Sequence, residues 1–575
     1  MRKEKCGELP SRESVGGQKE RRLVCLTALL ATATFLCACS PQQYYTRADR
    51  ETYGVLFAAE RNVENVSPAD VDIENTKKVD LSKYKANGTS AEYLGEMASF
   101  ERGAKVLSLD EALEASVSYG REYLTRKESV FLNALDLTLA RFELSPMFRA
   151  DAGVVRASDS RSVELEEGFT ELVAENTFSR TQSASVDWLL ATGARLSADF
   201  TQDFLRIMSG NQSINESDLA VSLVQPLLQG GGTTVTLETL TQAERDLLYD
   251  LRAFADFRRS YIVSIVTDYY NVLQARDRVQ NSYVAYQGFV ESVEREEAFA
   301  EEDRRTQTEL GQLRQAALQS ESRWIDAIRL YQGLLDEFKI TLGLPVDKKF
   351  ILDEGELERL KIEQPGLSRE EAVEVALVTR PDLATAVDIV EDAERHIEVA
   401  KNGLLPGLDV AVDYRAVSNP DDTTPAINWD RRRWATSLDV RAPLDRKAER
   451  NIYRATFVSL NRAERAKDLS FDEARLDIYS DWRALEQTGR NFEIAVQGVS
   501  LAARRLEEQQ LLAELGKGDA RDLVDSQNDL VEAQNQRTAT VIDHTLARLR
   551  LWRDMGILYI NEDGSWVEKL KNEPR

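Results

Sequence analysis

Residues 367–417 read LSREEAVEVALVTRPDLATAVDIVEDAERHIEVAKNGLLPGLDVAVDYRAV. The apolar positions up to Leu404 recur at helical spacing, and those after Pro406 alternate strictly, as in a half-buried strand. The stretch therefore predicts one long amphipathic helix that stops at Leu405-Pro406 and turns into a strand. The chain does this twice. LSLDEA begins at Leu107 and LSREEA at Leu367, 260 positions on, and Ser145-Pro146 stands 260 before Leu405-Pro406. A repeat that keeps its helix length to the residue is a structural module. In the first copy Ser108 is a good N-cap, and Glu111 sits at capping-box spacing. Proline cannot continue the hydrogen-bond ladder, so both helices end at their prolines.

Outward from each junction the signals repeat in order. In the first module Phe148, Ala150, Ala152 and Val154 alternate with Arg149, Asp151, Gly153 and Val155. A hairpin follows, with Val186, Trp188 and Leu190, then Thr192-Gly193, then Leu196, Ala198 and Phe200. Leu219, Val221 and Leu223 close the series before Pro226. In the second, Leu408, Val410, Val412 and Tyr414 precede a loop at 419–425, and Trp434, Thr436, Leu438 and Val440 lead to Pro443. Alternation with charges on one face calls for one apolar and one wet environment. Pro226 with Gly230, Gly231 and Gly232 forms a hinge, and Ala442-Pro443-Leu444 forms its counterpart.

The 575 residues include only 13 prolines, with none between Pro226 and Pro345 or between Pro443 and Pro574. Both gaps are rich in Ala, Leu, Glu, Arg and Gln, the good helix formers. They predict two helical hairpins, each with an arm of about 70 residues and roughly 100 Å. Gly311 and Gly516 mark the expected tip turns. Two half-length helices stacked end to end would match each full-length one, giving a wall of constant height.

A mean hydropathy of −0.40 and 30% charged residues exclude a bundle of apolar membrane helices. The net charge of −25 makes a nucleic-acid partner unexpected. All four cysteines, Cys6, Cys25, Cys37 and Cys39, lie in the first 39 residues, so later residues hold no disulfide framework. Arg21-Arg22, the apolar run Leu23–Leu36 and the small residues beyond it form a secretory signal. Leu36-Cys37-Ala38-Cys39 resembles a bacterial lipobox. That resemblance implies cleavage before Cys39, acylation of its thiol and amine and, with Ser40 following, sorting to the outer membrane.

The ordered set LSLDEAL, QPLLQGGG, LSREEAV, TRPDLATA, LLPGLDV and ELGKGDARDLVDSQNDLVEAQ resembles the TolC-like outer-membrane efflux proteins over nearly all of residues 105–558. Each motif alone is weak; six in order, over a twofold repeat, are specific. The resemblance implies a mostly α chain with a β-barrel portion, built from two repeats of helix, strands and long helical hairpin. It implies a homotrimer, with a transmembrane β-barrel continuous with a periplasmic α-barrel. The expected division is a signal peptide (1–38), a lipid-anchored arm (39–104), a first repeat (105–345, strands within 147–226), a linker (346–366), a second repeat (367–557, strands within 407–443) and a tail (558–575). Pro146, Pro226, Pro406 and Pro443 would mark the barrel junction, with Trp188, Tyr414, Trp429 and Trp434 near interfacial girdles.

The implied function is a passive export conduit served by a periplasmic adaptor and an inner-membrane pump, with adaptor docking at the Gly311 and Gly516 turns. In the family, two aspartates six and nine positions after the second tip glycine form the periplasmic constriction; here those positions are Asp522 and Asp525. Asp519 lies on the same helical side, and three copies would make carboxylate rings. Gly518 and Ala513 replace the basic and aromatic residues that the family places beside this gate. The family has four strands per protomer; six candidates appear here, and four spanning strands with loops extended by a hairpin at 184–204 are expected. No cofactor, metal site or catalytic constellation is expected, and His396 and His544 are read as surface or groove residues. The alternative is a periplasmic coiled-coil structural lipoprotein without a pore, which would need no alternating strands.

Overall fold

The computed structural model describes residues 40–568 except 74–80, 89–90, 166–168, 209–212, 302–305, 420–425 and 516. An arm opens with α1 (Pro41–Ala59) and leads to β1 (Lys105–Leu107). The first module holds α2 (Leu109–Tyr119), α3 (Arg121–Glu143), β2 (Met147–Leu165), β3 (Phe169–Leu189), β4 (Arg195–Ile207), β5 (Ser213–Pro226), α4 (Glu238–Glu301) and α5 (Gln307–Thr341). After β6 (Phe350–Leu352) the second module holds α6 (Arg369–Thr379), α7 (Pro381–Gly403), β7 (Gly407–Ser418), β8 (Ile427–Arg441), α8 (Lys447–Glu514) and α9 (Ala520–Asp554). A hairpin of β9 (Leu558–Ile560) and β10 (Trp566–Glu568) follows.

Both modules start with a complete capping box. Ser108 and Ser368 each accept from the backbone N–H three residues on, while Glu111 and Glu371 accept from the caps' own N–H at 2.9 and 2.7 Å. The helices that follow do not run unbroken. Each divides into 11 and 23 residues, at Gly120 and at Arg380, where the backbone opens to ψ 119° and 121°. Pro381 forces the second break, because its ring excludes α geometry at the residue before it. At the first, Gly120 lies against the Tyr261 hydroxyl, which donates to Ser116 O at 3.2 Å; a side chain there would strike that hydroxyl.

The long arms have 64 and 68 residues and the returning helices 35 each. At 1.5 Å per residue the arms are about 100 Å long. Such length holds only where a helix packs on others: α4 packs against α3, α5, α7 and α9, and α8 against α6, α7 and α9. The core is the apolar seam of this wall, with Leu251, Phe254, Ile265, Val266 and Tyr269 of α4 at its centre.

The arm and tail are clamped onto α4 by two buried arginines. Arg258 donates to Asp70 at 2.8 Å and to the carbonyls of Asn65, Ile560 and Asn561. Arg276 makes a two-pronged bond to Glu101 at 2.8 and 2.9 Å. The 346–366 segment is tied in as well, since its β6 pairs in parallel with β1.

All six long strands join one antiparallel sheet in the order β2-β3-β4-β5-β7-β8. The hairpin at 184–204, expected as an extension of the loops, is instead paired on both sides within this sheet. The 184–204 hairpin is the junction-side turn of β3 and β4, and both continue as full members of the sheet. The polar stretch after Val155 is strand too. Its serines and charges lack alternation, yet Ser158, Asp159 and Ser160 pair in register with Asn176, Glu175 and Ala174.

Candidate functional site

Two ends of the molecule concentrate the polar chemistry. At the first, helices become strands. Pro146 precedes β2, Pro226 ends β5, Pro406 precedes β7 and Pro443 follows β8. Proline suits strand ends because it has no N–H to give the ladder. A hydrogen-bonded layer ties these junctions together. Gly230 N donates to Asn402 Oδ1 at 2.8 Å, Gln229 N to Pro406 O at 3.3 Å and Leu227 N to Leu408 O at 2.8 Å. Arg446 donates to Leu404 O, and Trp188 Nε1 to Leu144 O at 3.1 Å. The β3–β4 turn joins the same layer, with Gly232 N donating to Thr192 O at 3.0 Å. Gly193, at φ 88°, sits so close that a Cβ would come within 2.6 Å of Gly230 O.

Beyond the junction the two sheet faces separate cleanly. Phe148, Val186, Ala198, Val221, Tyr414 and Trp434 form one row across six strands. The alternate row is Arg149, Ser185, Asp199, Ala220, Arg415 and Arg433. Charges on that face interact across strands: Arg415 pairs with Asp218 at 2.5 Å, and Ser222 donates to Asp413 at 2.7 Å. Trp188, Trp429 and Trp434 are all exposed, and Trp188 is also bound into the junction.

The second end is the tip of the helical hairpins. Asp519 is the N-cap of α9, accepting from Arg521 N at 2.9 Å. Asp522 and Asp525 follow on the same exposed side. Among the described residues no ion pair engages these three, while Asp529, one turn on, is held by Arg505 at 2.6 Å. The opposite side of α9 is buried. Ala520 and Leu523 pack with Leu313 of α5, and the Gln527 amide donates to Ala285 O of α4 at 3.2 Å. That amide fills the place of a side chain at Gly288, where a Cβ would collide with it. The tip thus presents a carboxylate stripe on one side and a two-hairpin lock on the other.

Gly311 does not form the first tip turn. It lies inside α5, which is capped by Thr306 with Glu309 completing the box, so the chain reverses before Thr306. The capping box overrides the glycine because a single helical glycine costs only about 1 kcal/mol. Gly516 and Cys39 lie outside the described residues. Asn402, Arg446 and Gln527 emerge only from the structure. Their partners are distant in the chain, and no local pattern singles them out.

His544 sits in the groove beneath residues 362–367, its ring within 3.3 Å of Thr488 Oγ1 and 3.2 Å of Glu363 O. Burial pulls its pKa below the ordinary histidine value, against the opposing effect of the Glu363 carbonyl. His396 is half exposed and faces Glu238 at 3.3 Å. Burial, reinforced by the neighbouring Asp554, pushes the Asp481 carboxyl above the usual carboxylate range. Among the described residues, no group of three His, Cys, Asp or Glu side chains could hold a metal ion. No described helix is long and apolar enough to cross a membrane.

No protein-family model and no curated protein matches the chain. Solved structures do. The Campylobacter jejuni CmeC outer membrane channel superposes over 83% of this chain and 90% of its own, at 13% identity and a TM-score of 0.56. The transmembrane channel CusC covers 84% and 97%, at 12% and 0.58. The open state of the Neisseria gonorrhoeae MtrE outer membrane channel covers 78% and 88%, at 12% and 0.54. The fold is that of the TolC-like outer-membrane channels. At such identity the likeness is one of architecture, carried by helix length, module order and sheet placement. In one protomer the channel fold leaves its sheet open, with β2 and β8 as edges.

Proposed function

We propose that the chain is one protomer of a homotrimeric outer-membrane channel, a passive conduit in a tripartite efflux or type I secretion system. The observation that carries this reading is the open sheet. It has one apolar and one charged face, and it continues directly into a helical wall. An open edge in lipid would leave a row of backbone N–H and C=O groups without partners, at several kcal/mol each. Closure by copies of the same chain removes both edges at once. The lateral helices carry matching signs of partners: Leu132, Leu139 and Phe142 of α3 and Ile452, Leu469, Leu476 and Leu501 of α8 are all exposed in a single protomer. A coiled-coil lipoprotein without a pore would leave the sheet without a purpose.

In this reading the strands span the outer membrane, with Cys39 acylated beside them, and the helices extend into the periplasm. Asp522 and Asp525, with Asp519 at the cap, ring the periplasmic constriction. A periplasmic adaptor docks at the hairpin tips, near Gly311 and Gly516, and an inner-membrane pump supplies the energy. No chemical step falls to this chain; substrate choice lies with the pump. The test is reconstitution of the purified full-length protein in planar bilayers, with its mass measured in detergent. Trimers with discrete conductance are expected. A monomer without conductance rejects the channel.

A further inference from the structure

We infer that the assembled barrel has eighteen strands, six from each protomer. This rests on the trimeric channel proposed above and departs from the four strands per protomer that the family resemblance implies. Three observations carry it.

The first is pairing. β2 to β5, β7 and β8 form one uninterrupted ladder, and the register of the apolar rows holds from Phe148 on β2 to Trp434 on β8. A hairpin that served as an extracellular loop would not keep its apolar side chains in line with the other strands. The second is length. β4, β5, β7 and β8 have 13, 14, 12 and 15 residues, and β2 and β3 have 19 and 21. A tilted spanning strand needs about 9–11, so every one of the six is long enough. The third is anchorage. The β3–β4 turn is bonded to the hinge through Gly232 N to Thr192 O at 3.0 Å and through Thr192 Oγ1 to Gln225 Oε1 at 3.0 Å. The additional strands therefore start at the same height as the rest.

The count sets the size of the barrel. Strands about 4.8 Å apart and tilted about 40° add about 6.3 Å each to its girth. Twelve strands give about 75 Å and eighteen about 113 Å, for radii of about 12 and 18 Å. The even count also closes correctly: β2 leaves the junction and β8 returns to it, so the two edges meet antiparallel.

Disulfide trapping in the full-length protein tests this, because its own cysteines all lie within residues 1–39. Ala150→Cys on β2 is combined in turn with Trp434→Cys, Thr436→Cys and Leu438→Cys on β8 to sample the registers. Oxidation of at least one pair is expected to give covalent trimers. Electron microscopy of the trimer in nanodiscs is expected to show a barrel radius of about 18 Å. A second series pairs Ala198→Cys on β4 with the same β8 positions. Trimers that conduct but cross-link through β4, with a radius near 12 Å, overturn the inference and leave the channel standing. A monomeric protein without conductance removes the channel reading, and the barrel with it.

Discussion

Gln527→Ala should loosen the closed tip. In the proposed channel the Asp522 side of α9 lines the constriction, and widening it would carry α9 away from α4 and α5. Near the tip that contact consists of the Leu313, Ala520 and Leu523 cluster and the buried Gln527 amide, which donates to Ala285 O at 3.2 Å. The other amide atom, Gln527 Oε1, has no hydrogen-bond partner, so the side chain contributes one bond plus its packing at Gly288. Losing such a contact costs about 1 kcal/mol. Three protomers opening together lose about 3 kcal/mol, which shifts the closed-to-open ratio by about two orders of magnitude. The assay is open probability in planar bilayers. Gly288→Ala should act in the same direction, because its methyl displaces the amide. In the double variant the two alanines can fill the same space, so the effects should be far less than additive. Strictly additive effects, or an unchanged open probability in both single variants, would refute the lock.

Three further outcomes follow from named contacts. Asp522→Ala with Asp525→Ala should weaken block by multivalent cations added from the periplasmic side; an unchanged block in bilayer recordings rejects the ring. Arg258→Met strands the Asp70 carboxylate in a buried site, which costs about 3–5 kcal/mol; adding Asp70→Asn should restore much of the unfolding midpoint, and no recovery would mean the pair is not what holds the arm. His544 is harder to protonate in the fold than in the unfolded chain, so its contribution to stability is complete above the ordinary histidine pKa of about 6.5 and is lost as pH falls from there toward the depressed native value. Unfolding midpoints at pH 7.5 and 5.5 should differ less in His544→Gln than in the parent chain; an equal difference would exonerate the histidine.

The fold was legible because its largest features are repeated and one-dimensional. The 260-residue offset, the proline-free gaps and the capping box at Ser108 each depend on local rules, and the structure follows them. Two misreadings were also local. Pro381 stood in plain view within TRPDLATA and demanded a break at Arg380, but the strength of the surrounding period concealed it. Gly311 resembled a turn, yet Thr306 and Glu309 already formed a helix start five residues earlier. The residues that lock the tip were not legible, since Gln527 and Ala285 are 242 positions apart and no periodicity connects them.

Six strands could be read, but the length of β2 and β3 was hidden for a different reason. Alternation reports a strand only where one face is apolar and the other wet. Beyond the apolar rows, from Arg156 on β2 to Thr177 on β3, serines, charges and amides are interspersed with Val163, Leu165, Phe169, Leu172 and Val173 on both faces, so the pattern fades although the pairing continues. A tilted spanning strand needs about 9–11 residues, so β2 and β3, at 19 and 21, should rise past the bilayer surface while β4, at 13, ends near it. The long hairpin is also an edge of the protomer, and in the proposed trimer it would lie against β8 of the next copy. The rim of the outlet would then be a crown of three tall hairpins set at the three seams. A proteinase added to intact cells should therefore cut near residues 166–168 well before residues 209–212; equal rates of cutting would place both hairpins at one height.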